Sequence, residues 1–176
     1  IVIVPIYKTD EDKQKIADYI KPLIQKFNDE EIRYLYDDRE KISPGFKFNE
    51  WEMKGVPVRI EVGMRDLENQ MIVFSRRDYN SKHEISFQES LNYFSNLLSE
   101  IQDSLFSQAQ KFQNDNIHSL NDYKKFQTII SDGGFVKCGW DGERETEDLI
   151  KKETKASIRC IPFDQNIDGL KCIYSN

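Results

Sequence analysis

The chain has 176 residues, 38% of them hydrophobic and 12% aromatic, with a formal net charge of −6. That is enough apolar side chain for a packed core, in one domain or two small ones, and the acidic balance excludes a basic coat laid along nucleic acid. There is no run of about 18 apolar residues to cross a membrane. Three cysteines, an odd count in a Lys/Glu-rich chain, fit a reducing, cytoplasmic setting with free thiols.

Charge is unevenly spread. Residues 39–82 carry nine Lys/Arg against seven Asp/Glu, while the remainder carries sixteen against twenty-four. Any contact with a polyanion should therefore fall in that segment, as a local and specific one. The sequence shows no signal peptide. It opens inside a strand-like run without an initiator Met, which reads as a piece of a longer protein.

IVIVPIY, residues 1–7, predicts a buried central strand. Thr9 or Asp10 then caps a helix whose apolar face carries Ile16, Tyr19, Ile20, Leu23, Ile24 and Phe27. Pro22 inside that pattern predicts a bend or an end. EIRYLYDD, residues 31–38, alternates and predicts a second strand, and strand, helix, strand in this order predicts a right-handed parallel unit. Ser43-Pro44 opens the next helix, which runs to about Lys54 and is closed by Gly55. Residues 57–62, 71–76 and 83–87 predict three strands joined by polar turns, an antiparallel meander. A stripe from Leu91 to Phe112 predicts a long helix over about 88–114.

Beyond it, Asn121-Asp122 opens a helix that Gly133-Gly134 breaks. Residues 135–138 predict a strand, 143–152 a helix with Asp141 near its start, and 158–161 and 171–174 two further strands. The domains that follow are 1–88, a connecting helix over 89–118, and a small α/β unit over 119–176. In that unit Phe135, Trp140, Ile150, Ile158, Ile161 and Phe163 should pack together, and Cys138 and Cys160 should be buried strand residues. His83 and His118, the only histidines, have no partner in the sequence that suggests a base or a ligand.

The chemistry concentrates around WEMKGVPVRIEVGMRD, residues 51–66. Phe48 and Glu52 are four apart and share a helix face. Phe48 is either a core residue or a platform on which a base can stack, with Glu52 accepting hydrogen bonds beside it. Alternation places Arg59 and Glu61 opposite Val58, Ile60 and Val62, on a face that is either solvated or functional. Arg65 and Asp66 follow at the strand end, where a guanidinium can fork to phosphate or to guanine acceptors and a carboxylate can accept from guanine donors. An aromatic, two acids and two bases suit unpaired bases better than a duplex groove.

KFNEWEMKGVPVRIEVGMRDLENQ, residues 47–70, closely resembles the anticodon-binding domain of prolyl-tRNA synthetases. IVIVPIYK, YLYDDRE and PGFKF upstream fit the same family. GGFVKCGWDGERETEDLIKKETKASIRCIPFD, residues 133–164, resembles the C-terminal domain of its archaeal and eukaryotic-type members. The resemblance covers essentially the whole chain. It implies an α/β fold: a five-stranded mixed sheet flanked by helices, of the class IIa anticodon-binding kind, followed by a small α/β C-terminal domain. It also implies that the first domain binds the anticodon stem-loop of proline tRNA and reads the two guanines of its anticodon. Phe48, Glu52, Arg59, Arg65 and Asp66 match the family's contacts by motif position. Proline activation with ATP and Mg²⁺ would belong to a core preceding Ile1, so the chain alone should catalyse nothing and bind no DNA. The family implies a homodimeric parent, whereas the chain by itself can be a monomer.

The resemblance also implies a zinc question. Many relatives hold zinc through W-C-x(4)-C and a later C-x-x-C. Here the four positions are Asp141, Thr146, Cys172 and Ser175. That set is poor for structural zinc, which prefers Cys and His, so no bound zinc is expected. A different reading keeps the fold and drops the RNA: a stand-alone protein-interaction module with its partner surface in the acidic second domain.

Overall fold

The computed structural model describes residues 1–79, 81–165 and 168–175. They form two compact units, Ile1–Ser107 and Gln108–Asn176. The first contains strand β1 (Val2–Ile6), helix α1 (Asp10–Asp29), strand β2 (Leu35–Tyr36), helix α2 (Pro44–Met53), strand β3 (Val58–Gly63), helix α3 (Met64–Glu68), strands β4 (Met71–Arg76) and β5 (Lys82–Ser86), and most of helix α4 (Phe87–Asp115). Its five-stranded sheet has the order β2-β1-β3-β4-β5. β1 pairs in parallel with β2 and β3, and β3, β4 and β5 form the antiparallel meander.

One face of this sheet carries the core. Ile3, Ile60, Ile72 and Phe74 pack against Ile16, Ile20, Leu23 and Phe27 of α1 and Phe94, Leu97 and Ile101 of α4. Phe94 sits edge-on to Phe27 and Phe74, with centroids at 5.7 and 5.4 Å. Each such side chain contributes roughly 1.5–3 kcal/mol by leaving water. Helix α2 lies over the opposite face, so β3 is covered on both sides and Val58 through Val62 are all buried.

Several local expectations change. α1 runs unbroken through Pro22, which is exposed beside exposed Asp18, where water can take the hydrogen bond that the ring forfeits. β2 shrinks to two residues. Glu31 adopts a left-handed φ of 54° and the Ile32 amide bonds back to Phe27, so the chain is still leaving α1 where a strand was expected. The turn after β3 is a short helix, α3. Phe87 belongs to α4 rather than to β5.

The second unit holds β6 (Ile117–Ser119), α5 (Tyr123–Asp132), β7 (Phe135–Lys137) and α6 (Arg144–Thr154). β6, which the sequence pattern did not suggest, pairs in parallel with β7. Asp122 caps α5 and Gly133, at φ 91°, ends it. The two strands expected at 158–161 and 171–174 are not formed; only Cys172 makes a bridge, to Gly139. There the backbones approach so closely that a Cβ on Gly139 would collide with the Lys171 carbonyl. Apolar alternation specifies a strand only when a neighbour supplies hydrogen bonds.

The expected core of this unit also fails. Phe135, Ile158, Ile161 and Phe163 are exposed, and Trp140 and Ile150 are half-buried. Phe126, Cys172 and Ile173 are buried instead, with Tyr123 stacked on Phe126 and edge-on to Tyr174. Cys160, expected inside, is exposed.

Candidate nucleic-acid interface

The site begins with the placement of α2. Ser43 Oγ accepts from the Phe46 amide at 3.3 Å and Pro44 occupies the first turn, a favourable start. At the other end Gly55 has a φ of 75°, which glycine adopts without strain. Its carbonyl accepts from Arg77 Nη1 at 2.8 Å, and a Cβ there would strike that guanidinium.

A second anchor ties α2 to the loop after β2. Asp37 has a fully buried carboxylate that accepts from Arg39 Nε and Nη2, both at 2.8 Å, and from Trp51 Nε1 at 2.7 Å. Buried Lys47 donates to the Asp37 carbonyl at 3.0 Å. Arg39 also meets Glu50 at 2.6 Å, and Glu50 meets Lys54 at 2.6 Å. The Arg39 hydrogen bonds hold the Asp37 carboxyl well below its ordinary range, against the opposing effect of burial and with help from Trp51. Arg39 and then Lys54 lower Glu50 in the same way.

Held like this, α2 sets Phe48 and Glu52 above β3. Strand register supplies the rest. Arg59 of β3 pairs with Ser75 of β4, and Ser75 pairs with Lys82 of β5, so these three form one row on the face beneath α2. The Arg59 guanidinium stacks on the Phe48 ring, 4.3 Å from its centroid. Its Nη2 donates to Glu61 Oε1 at 3.0 Å and to Ser75 Oγ at 3.3 Å. Its Nη1 makes only longer contacts, 3.4 Å to Glu52 and 3.5 Å to the Phe48 carbonyl. Lys82 Nζ donates to the second Glu61 oxygen at 2.7 Å. Arg59 and Glu61 are therefore on the face that alternation assigned them, yet buried: their side chains are 10% and 6% exposed, against 60% for Glu52. Beside Glu52 opens a cleft of about 250 Å³ bordered by Trp51, Arg59, Ser75, Arg76 and Arg77.

Phe48, Glu52 and Arg59 thus meet in one cluster, with Phe48 half-buried as the roof of Arg59. Arg65 and Asp66 lie on α3. Arg65 is exposed, and the Asp66 carboxylate accepts from the Gly63 amide at 2.7 Å, capping the turn. Asp66 acts electrostatically on Tyr19 of α1, whose hydroxyl is pushed up to about 12, first by burial and then by Asp66. Sequence reasoning missed Asp37, Ser75 and Lys82. Lys82 could have been found by extending the meander register from Arg59 across two strands.

The four positions raised for zinc lie close together in the second unit and are tied to one another. Thr146 Oγ1 and Ser175 Oγ donate to Asp141 Oδ2 at 2.9 and 2.7 Å, and the Glu143 amide donates to Oδ1 at 3.1 Å. These bonds, led by Ser175, hold the Asp141 carboxyl down at about 2. One thiol, one carboxylate already engaged and two neutral hydroxyls do not fit a structural zinc ion. Among the described residues no group of three or more His, Cys, Asp or Glu could hold a metal.

Residues 1–97 match the family model "Anticodon binding domain", and residues 123–176 match "Prolyl-tRNA synthetase, C-terminal". Similar proteins include the proline--tRNA ligases of Flavobacterium psychrophilum (42% identical, 99% of this chain and 36% of that protein), Bacteroides fragilis (41%, 97% and 34%) and Parabacteroides distasonis (43%, 98% and 35%). All three come from bacteria. The chain spans about a third of the length of the curated relatives it matches. On these matches, and with the five-stranded mixed sheet they imply in place, the chain belongs to the anticodon-binding domain family.

Proposed function

We propose that the chain is the tRNA-binding part of a proline--tRNA ligase and that it reads unpaired guanines of the proline anticodon. The observation that carries this reading is the cluster over β3. A ring and a guanidinium are stacked and fixed, and an exposed carboxylate stands beside them at the mouth of a cleft. A guanine can stack against exposed parts of the platform, give its ring N–H and amino group to Glu52, and receive donors from Arg59. Arg65, exposed on α3, supplies a phosphate or base contact. Asp66 orders that turn through Oδ2 and offers Oδ1 to a base.

In the same reading, proline activation with ATP and Mg²⁺ belongs to sequence outside these 176 residues. The parent enzyme is a cytoplasmic homodimer and this chain alone is non-catalytic. The second unit holds no zinc. No helix among the described residues is long and apolar enough to cross a membrane.

The test is a binding titration of the chain with a proline anticodon stem-loop and with the same stem-loop carrying adenine for both guanines. Tighter binding of the first supports the reading. Equal binding of the two RNAs, or none to either, overturns it.

A further inference from the structure

The Arg59 guanidinium is held most firmly at Nη2 and more loosely at Nη1. Nε and Nη2 face Glu61 Oε1, at 3.4 and 3.0 Å, and Nη2 also reaches Ser75. Nη1, on the Glu52 side, has only the contacts at 3.4 and 3.5 Å. An incoming base edge therefore competes with the weak arm and leaves the strong one in place.

Glu61 is itself buried, and a carboxylate 6% exposed needs compensation on both oxygens. Arg59 supplies it at Oε1 and Lys82 at Oε2. Lys82 is 62% exposed, so this counter-ion is held from the surface. We infer that Glu61 is the positioning residue for Arg59 in guanine recognition, with Lys82 as the anchor of Glu61. This rests on the function proposed above.

The consequence for specificity is direct. With Glu61 in place, the guanidinium plane is set against Phe48 and touches Glu52 only through the long 3.4 Å contact of Nη1, which leaves that exposed carboxylate available to base donors. Without that carboxylate, the nearest alternative anion is Glu52. Arg59 swings towards it, and the acceptor that tells guanine from adenine becomes occupied. Fixing a donor before the ligand arrives also removes an ordering cost from binding.

The test uses the 176-residue chain and two stem-loops, one displaying two adjacent unpaired guanines and one with adenines in their place. Glu61→Gln keeps the shape and removes the charge. It should lower the guanine-over-adenine affinity ratio about tenfold, the size of one lost base-specific pair. Lys82→Met, at an exposed position, should lower the ratio about threefold, and the double variant should be no worse than Glu61→Gln alone. If Glu61→Gln does not fold, the Lys82→Met ratio decides. A ratio unchanged from wild type in the folded variants overturns the inference. So does a loss shared equally by both RNAs in step with a lowered unfolding midpoint, which marks a purely structural role. A wild-type chain without guanine preference overturns the parent reading and this inference together, which keeps the two failures apart.

Discussion

The sheet of the first unit and the tail of the second respond differently to the same sequence signal. In β3, alternation places charged residues between apolar ones, and both sets end up buried because α2 closes the second face and every charge finds a partner. Residues 158–163 also carry recurring apolar positions, yet Ile158, Ile161 and Phe163 are exposed and form no strand. The pattern has meaning only where a neighbouring strand and a covering helix exist. The first unit supplies both, and the second closes instead around one aromatic cluster and one hydrogen-bonded carboxylate.

Substitutions should separate the two regions sharply. Phe94→Ala removes a ring that contacts both Phe27 and Phe74 and should cost about 3–5 kcal/mol of unfolding free energy in urea titration. Asp37→Ala leaves Trp51 Nε1 without its acceptor, Arg39 with Glu50 alone and buried Lys47 with only the residue-37 carbonyl, and should cost a similar amount, about 3–5 kcal/mol, seen as a lowered denaturation midpoint. Asp37 also sets an acid response. Its folded carboxyl lies below the unfolded value of about 3.9, so its contribution is complete above that value and is lost as pH falls below it towards the folded one. Asp37→Asn should flatten the acid limb of a pH-dependent melting series. In the second unit, Asp141→Ala should leave the first unit's unfolding unchanged and speed protease cleavage near residues 172–175, with added chelator making no difference to the wild type. Phe163→Ala, on a fully exposed side chain, should change the midpoint by less than about 0.5 kcal/mol.

Much of the first unit was legible because its signals are local. The apolar run of β1, the Ser43-Pro44 start and Gly55 end of α2, and the limits of β4 each rest on a few adjacent residues. The shared face of Phe48 and Glu52 followed from helix spacing, and the side of β3 on which Arg59 stands followed from strand alternation. What could not be read was burial imposed from a distance. Asp37 looks like an ordinary polar residue at a strand end, and its partners lie 2, 10 and 14 positions away. Lys82 joins Glu61 only through the register of two intervening pairings. In the second unit, β7 formed within the segment 135–138 expected to be a strand, whereas its parallel partner β6, three residues long, is too short for a periodic signal.

In the proposed function the Phe48–Arg59–Glu52 cluster distinguishes guanine from other unpaired bases. Calorimetric titration of Arg59→Ala against the proline anticodon stem-loop and its double-adenine counterpart addresses it most directly. The variant should lose about 1–3 kcal/mol on the guanine RNA and change little on the adenine RNA. Equal losses on both RNAs would contradict it.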